Sequence, residues 1–531
     1  MTALLLPLLA AIPVMAAAVT AILPSRQAGR LVALAVPAAT AVAGGVLLVL
    51  HRSEPVIAAS VGGFVPGVAI PFVSDSFAAL MLVTTGVVAL MSLVFCDQTG
   101  EFGRSRYFAP LALLLLAGAN GALLTGDLFN LFVFVEVMLL PSYALIAMTG
   151  TWRRLGVGRL FVVINLLTST LLLAGVGFVY GTAGSVNLAV LAGAAQEDGR
   201  VAAALGVVLM ALCIKAGAVP VHGWLPRAYP GTSAGVMALF SALHTKVALY
   251  AVIRIWATAF DLDPAWGRVL LVVALVTALW GAVASASPVG AREILAWQMV
   301  SGVGVILAAL AVAQAPGGAI VYMIHHMVTI GALVMLIGAA EHVYRSGQLG
   351  GLSGLWYRER PLGVLLVLAI AALVGLPPTS GLTGKLEVVT AALGTGGAWG
   401  VATVVVVLVS SLIGLVAMLR LWRGIMWGGP APRPGDDDGD SDERQQGVDE
   451  HGDDGDDDDD DNVRPSPRVP ARLLVPGGVL AALSVAIFLG YGAIAPEVDR
   501  AVAGLVDTDA YVSAVLDGPD AMTDSTIGGR S

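Results

Sequence analysis

About fourteen apolar segments of roughly 18 to 30 residues follow one another along this chain, and three of them each hold one of its only three lysines, Lys215, Lys246 and Lys385. Segments of that length cross a bilayer as helices, because in lipid every backbone amide must be satisfied within the segment. A lysine at that depth costs at least about 2.5 kcal/mol on insertion scales, and the usual reason to carry one is ion or proton movement. With 57% hydrophobic and 12% charged residues over 531 positions, the composition is that of an all-α polytopic membrane protein, not a soluble domain.

The net charge of −9 misleads. Sixteen of the 37 acidic residues crowd between Asp436 and Asp461, and the rest of the chain carries 27 basic against 21 acidic residues. That tract cannot bury enough apolar surface to offset the entropy of ordering, so residues 428–470 are expected to form a disordered acidic loop. Arginines gather in the loops after the odd-numbered spans, among them Arg26, Arg104, Arg227, Arg292 and Arg345. The positive-inside rule then places both termini outside and the acidic loop in the cytoplasm of a plasma-membrane protein. The first segment, 2–23, is about a full span without a basic leader and reads as a retained helix. Cys96 and Cys213 form no metal-ligand spacing, and no phosphate loop or nucleophile elbow appears, so neither cofactor, metal site nor nucleic-acid partner is expected.

The polar residues inside the spans form a pattern. In the fifth span (127–149), Asp127 caps the start and Glu136 lies near mid-membrane, with Pro141 freeing the carbonyl of Val137. In the seventh (201–220), Lys215 precedes Gly217 and Pro220, so the helix breaks beside its lysine. Burial disfavours charge on Glu136 and Lys215 while pairing favours it on both, so moving them apart can switch protonation. The eighth span (231–257) carries His244 and Lys246, which lie about 200° apart on a helix and face opposite sides. His244 reads equally as a relay group or as a hydrogen-bonded residue between helices. In the eleventh (317–341), His325 and His326 lie about 100° apart, so at most one points fully along any one path; histidine titrates near neutrality and suits a proton relay. The twelfth (361–394) contains Pro377, Pro378, Gly381 and Gly384, which unwind the backbone just before Lys385. Glu387 is placed either to neutralise Lys385 or to face another helix. Two Gly/Pro-interrupted spans, seven and twelve, mark inverted repeats over spans 4–8 and 9–13. The chain then divides into residues 1–106, a first repeat at 107–257, a second at 268–427, the acidic loop, a last span at 471–494 and an extracytoplasmic tail at 495–531.

The same stretches, GDLFNLFVFVEVMLLPSYALIA, KAGAVPVHGWLPRAYPGTSAGVMALFSALHTKVALYAVIR, IHHM and GLPPTSGLTGK, resemble the proton-pumping antiporter-like membrane subunits. That superfamily holds the larger subunits of Mrp-type multisubunit cation/proton antiporters and their relatives in respiratory complex I. The wording around Glu136 is most similar to the Mrp D subunits. The resemblance covers roughly residues 70 to 425 and implies a fourteen-helix fold, a Glu136/Lys215 pair, a central Lys246 and an exit-side Lys385. It also implies other membrane subunits as partners, with protons and a monovalent cation, sodium first, as cargo. One departure stands out: Thr329 occupies the place where members often carry a further lysine, so the second-half path either falls to His325 or His326 and water or is inefficient. The alternative is the pumping arm of a redox complex such as complex I or a membrane-bound hydrogenase. A structural scaffold with relict polar residues is the third reading, and it requires that all three lysines be dispensable.

Overall fold

The computed structural model describes residues 5–23, 25–62, 64–65, 67–148, 152–312, 316–428 and 468–517. Apart from residues 428 and 468–470, the expected acidic loop lies outside them. The helices in chain order are α1 (Leu8–Ile22), α2 (Arg26–Leu50), α3 (Ser76–Gln98), α4 (Glu101–Arg104), α5 (Phe108–Leu124), α6 (Leu128–Ala147), α7 (Trp152–Ala183), α8 (Ala194–Glu197), α9 (Gly199–Ala216) and α10 (Trp224–Ala228). They continue as α11 (Ala234–Phe260), α12 (Pro264–Ala284), α13 (Ala291–Val312), α14 (Gly317–Tyr344), α15 (Arg360–Val374), α16 (Ser380–Thr395), α17 (Gly397–Met426), α18 (Ala471–Leu489), α19 (Tyr491–Val506) and α20 (Asp509–Leu516). Among the described residues, 11 helices are long and apolar enough to cross a membrane, and α1, α5 and α15 are shorter apolar helices.

Helices apolar on every side have no amphipathic stripe to orient them, and lipid is as apolar as a leucine, so close backbone approach at small residues decides which pack inside. Gly281 and Gly304 show this between α12 and α13: a β-carbon at Gly304 would stand 2.2 Å from the Ala278 nitrogen, and one at Gly281 would stand 2.3 Å from the Ser301 nitrogen. The centre is formed by α11, α14 and α13, whose apolar windows are 100%, 94% and 89% buried, whereas α2 and α17, at 33%, form the rim. The site residues of α11 and α14 therefore sit on the two innermost helices.

The structure departs from the expected spans at four places. Residues 71–75 are strand, not helix: β1 (Val56–Val61) pairs antiparallel with β2 (Ile70–Asp75), with Val56 opposite Asp75. Asp75 then caps α3 by accepting from the Ala78 amide at 2.9 Å, a side-chain cap that starts the helix at Ser76. The protein is thus helical with one β-hairpin among the described residues. The span expected at 201–220 stops at Ala216, the one at 361–394 is two helices, and the one at 471–494 ends at Leu489, with α19 following from Tyr491.

The two breaks share one device. Gly217 (φ 89°) and Gly375 (φ 93°) both take the left-handed conformation that favours glycine. Ala218 N donates to Cys213 O (2.9 Å) and Leu376 N to Ala371 O (2.8 Å), the long reverse bond that closes a helix terminus. A proline follows three residues after each glycine, at Pro220 and Pro378. The break at 217–223 is served by side chains of other segments, since Val219 N donates to Thr277 Oγ1 (3.1 Å) and Trp224 Nε1 to Ile214 O (3.1 Å). Helix α16 then crosses the end of α15 so closely that a β-carbon at Gly381 would stand 1.9 Å from Ala372 O.

Candidate functional site: a line of buried charge

Lys215 lies in the last turn of α9, where unpaired carbonyls and the helix dipole favour positive charge. Only 3% of it is exposed, and Nζ donates to Asn165 Oδ1 of α7 at 3.4 Å. Glu136 of α6 is close enough for the two charges to interact, yet no ion pair joins them among the described residues, and Glu136 Oε1 is buried without a protein partner. The pair is held apart rather than closed. Pro141 sits within a continuous α6, and the residue after it, Ser142, donates to Met138 O (2.7 Å) and meets His244 Nε2 of α11 at 2.7 Å.

His244 belongs to this first cluster: it is hydrogen-bonded between helices, and it lies within electrostatic range of Lys215. Phe240 packs against its ring at 4.9 Å and 85°. Lys246, 1% exposed, faces the other side of α11, where Nζ donates to Thr245 Oγ1 (3.0 Å) and interacts electrostatically with His326 of α14. The opposed faces expected of His244 and Lys246 thus connect two different clusters.

His326 presses onto Gly302 of α13, where a β-carbon would stand 2.0 Å from its Nε2. The Gln298 carbonyl is nearby, but neither ring nitrogen makes a bond of good geometry. His325 turns the other way: Nδ1 meets Ser380 Oγ (2.8 Å) and Thr329 Oγ1 (3.2 Å), and Ser380 Oγ meets Ser484 Oγ (2.8 Å), which ties α14 to α16 and α18. Thr329 therefore supports the histidine. Lys385 reaches back across the second break and donates to Val374 O (2.6 Å) and Leu373 O (3.3 Å), the carbonyls left open where α15 ends. Both histidines lie within its electrostatic range. Glu387 does not neutralise Lys385; it accepts from Tyr491 Oη at 2.9 Å and faces α19.

The neighbours thus form two groups, Glu136, Lys215 and His244 in one and Lys246, His326, His325 and Lys385 in the other, with α11 carrying a member of each. Buried polar atoms rarely go unpartnered in folded proteins. Here Glu136 Oε1, His244 Nδ1, His325 Nε2 and both His326 nitrogens do, which is where water can bridge one titratable group to the next. Asn165, Ser142, Ser380 and Ser484 were missed by sequence reasoning. Uncharged polar residues in apolar helices commonly satisfy themselves on the preceding turn, as Asn165 also does at Phe161 O (2.9 Å), so residue type alone does not mark them.

A helical bundle with ionisable groups buried along its inner helices and beside two helix breaks defines the class of ion-translocating membrane proteins. Residues 125–414 match the family model described as NADH:quinone oxidoreductase/Mrp antiporter, TM, and the chain belongs to that family. The D subunit of the Na(+)/H(+) antiporter of Bacillus subtilis (strain 168) is 32% identical to it over 483 residues, covering 90% of this chain and 91% of the relative. The structure of the Mrp complex from Dietzia sp. DQ12-45-1b contains a chain 39% identical, with a TM-score of 0.87, covering 96% of this chain and 99% of that one. A chain of the membrane-bound sulfane sulfur reductase, an archaeal respiratory membrane complex, has the same fold at 24% identity, with a TM-score of 0.81 and coverage of 97% and 100%.

Proposed function

We propose that this chain is the proton-translocating D-type subunit of a multisubunit antiporter that exchanges a monovalent cation, sodium first, for protons across the plasma membrane. The observation that carries the proposal is that the three lysines, Glu136 and three histidines gather into two electrostatically linked groups among packed helices, Glu136 with Lys215 and His244, and Lys246 with His326, His325 and Lys385. A proton taken up beside Glu136 and Lys215 passes by way of His244 to Lys246, and leaves through His326, His325 and Lys385. The motive step is the change in separation of Lys215 from Glu136, because a buried pair favours charge when close and loses it when apart.

The reading includes fourteen spans, with α15 and α16 together forming one, two inverted repeats at 107–257 and 268–427, both termini outside and the acidic loop in the cytoplasm. The matching Gly217/Pro220 and Gly375/Pro378 breaks support the repeat. Partner membrane subunits are part of the proposal, in line with the similarity to a chain of an Mrp complex.

Glu136→Ala and Lys215→Ala, expressed in a strain lacking other antiporters and matched for assembly, should each abolish sodium-dependent proton movement in everted vesicles. Full activity in either would sink the mechanism. The fold likeness to a respiratory complex favours a second reading, in which electron transfer in partner subunits drives the same line. Purification of the native assembly separates the two: flavin or iron–sulfur absorbance in stoichiometric amount would replace the antiporter reading.

A further inference from the structure

Far from the buried lysines, a recess of about 350 Å3 opens where α1 ends, α2 begins and residues 105–107 lead into α5. That volume lies within the roughly 300–1,000 Å3 of small-molecule sites. Arg26 and Arg106 stand in its wall with Ser25 and Ser105. Arg26 Nη1 donates to Gly103 O and Arg106 Nη2 to Ala21 O, both at 3.3 Å, which leaves most of the N–H donors of each guanidinium unspent. Ser25 Oγ accepts from the Ala28 amide (3.3 Å) and Ser105 Oγ from the Tyr107 amide (3.2 Å), so both hydroxyls keep their hydrogens to offer. Thr20, whose hydroxyl donates to Ala17 O (3.0 Å), adds no further donor.

Among the described residues, none that lines the recess is acidic. The carboxylates of the neighbouring segments are engaged elsewhere, Asp97 with Arg30 (2.7 Å) and Glu101 with Arg104 (3.0 Å). Two guanidiniums and two hydroxyl donors without a counter-charge favour an anion with several oxygens, since arginine takes such groups bidentately. The recess also borders apolar surface that no neighbouring helix covers. Ile22 in its wall is 82% exposed, and Met15 and Val19, 64% and 49% exposed, continue the same face of α1 at helical spacing. Helix α2 beside it belongs to the rim of the bundle.

We propose that this recess holds the phosphate of an anionic phospholipid, with one acyl chain lying along Met15, Val19 and Ile22. Arg26 and Arg106 take the phosphate oxygens, Ser25 and Ser105 donate to those that remain, and the chain covers the open face of α1. A free phosphate satisfies the same donors but leaves the apolar stripe bare, and a lipid satisfies both. Basic pockets between spans bind lipid headgroups by this combination of charge and burial. The bound lipid ties the start of α2 to the start of α5 at the rim of the bundle. The site requires that the chain span a membrane, not that it exchange cations.

Equilibrium binding of radiolabelled phosphatidylglycerol to the purified, assembled and delipidated complex in non-ionic detergent tests it. An arginine near an anionic lipid contributes roughly fivefold in affinity, so Arg26→Gln/Arg106→Gln should need about 25-fold more lipid to fill this site. The loss reads as one fewer lipid per complex at the concentration that saturates wild type. Each single variant should show about a fivefold shift, which keeps the test open if the double variant assembles poorly. Arg30→Gln, whose arginine is paired with Asp97 outside the recess, should bind like wild type, and an equal loss there would reduce the effect to general surface charge and overturn the site. Unlabelled phosphatidylglycerol should displace the probe, while inorganic phosphate and diacylglycerol at the same concentration should not. Displacement by inorganic phosphate would make this a free-anion site and overturn the lipid. Binding unchanged in the double variant, as when a partner subunit fills the recess, would overturn the proposal outright and leave vesicle antiport untouched.

Discussion

Gly302→Ala should cripple transport through a histidine it does not replace. The new β-carbon would stand 2.0 Å from His326 Nε2, whereas ordinary contact begins near 3.4 Å, so the ring must withdraw by about 1.4 Å. His326 has no side-chain hydrogen bond to redirect it. The helices that carry the two residues, α13 and α14, are 89% and 94% buried over their apolar windows, and close-packed interiors of that kind resist yielding. A displacement of about 1 Å between groups that exchange a proton costs on the order of 100-fold in rate, or about 2.7 kcal/mol of barrier. The assay is the initial rate of sodium-driven alkalinisation in everted vesicles at matched levels of assembled complex. Because the effect acts through one side chain, His326→Ala and the double variant Gly302→Ala/His326→Ala should show the same loss, a non-additivity that separates relay damage from general misfolding. A Gly302→Ala rate within about threefold of wild type, in a normally assembled complex, would refute the claim that the position of His326 matters to the path.

Away from the relay, the bidentate pair of Arg254 with Asp75 (2.6 and 2.8 Å), each side chain 6% exposed, should make Arg254→Gln cost about 3–5 kcal/mol, because it strands a buried carboxylate. Asp75→Asn/Arg254→Gln should recover most of that in unfolding measurements, and a double variant no more stable than the single would contradict this account. Glu497 of α19 offers a pH signature: burial opposes its ionisation, but hydrogen bonds from Arg500 and Arg52 outweigh it and hold the carboxyl below its ordinary value of 4.5. The stability it contributes is therefore present above about pH 4.5 and lost as pH falls through its lower folded value. Glu497→Gln should be less stable than wild type at pH 7 and indistinguishable from it in strong acid, and a difference that persists in acid would refute the linkage.

Much of this protein was legible from residue type and spacing. Lysine, glutamate and histidine in apolar segments stand out because burying them is costly, so Glu136, Lys215, Lys246 and Lys385 could be singled out without coordinates. The breaks at Gly217–Pro220 and Pro377–Pro378 were legible for a backbone reason, since glycine ends helices and proline cannot continue them, whereas Gly381 and Gly384, expected to unwind with the second break, lie within α16, and Gly375, which ends α15, was not singled out. The opposite faces of His244 and Lys246 follow from helical geometry alone.

Which group meets which was decided only by packing between helices far apart in sequence. Glu387, two residues from Lys385, pairs with Tyr491, whereas Lys385 is held by carbonyls of α15; no local rule separates these outcomes, since both depend on where α19 and α15 come to lie. The supports at Asn165, Ser142, Ser380 and Ser484 were hidden for the same reason, as a serine or asparagine satisfied on its own helix differs from one bonded across helices only in its neighbours. The hairpin before α3 was hidden by composition, because Ile70–Asp75 continues the apolar run of the helix and only pairing with Val56–Val61 makes it a strand. Sequence alone thus determined which residues bear the cost of charge in the membrane and where the chain must bend, because those are properties of single residues and local backbone. The order in which the charges stand to one another was decided by the tertiary structure, through close contacts such as Gly302 under His326, which no single segment contains.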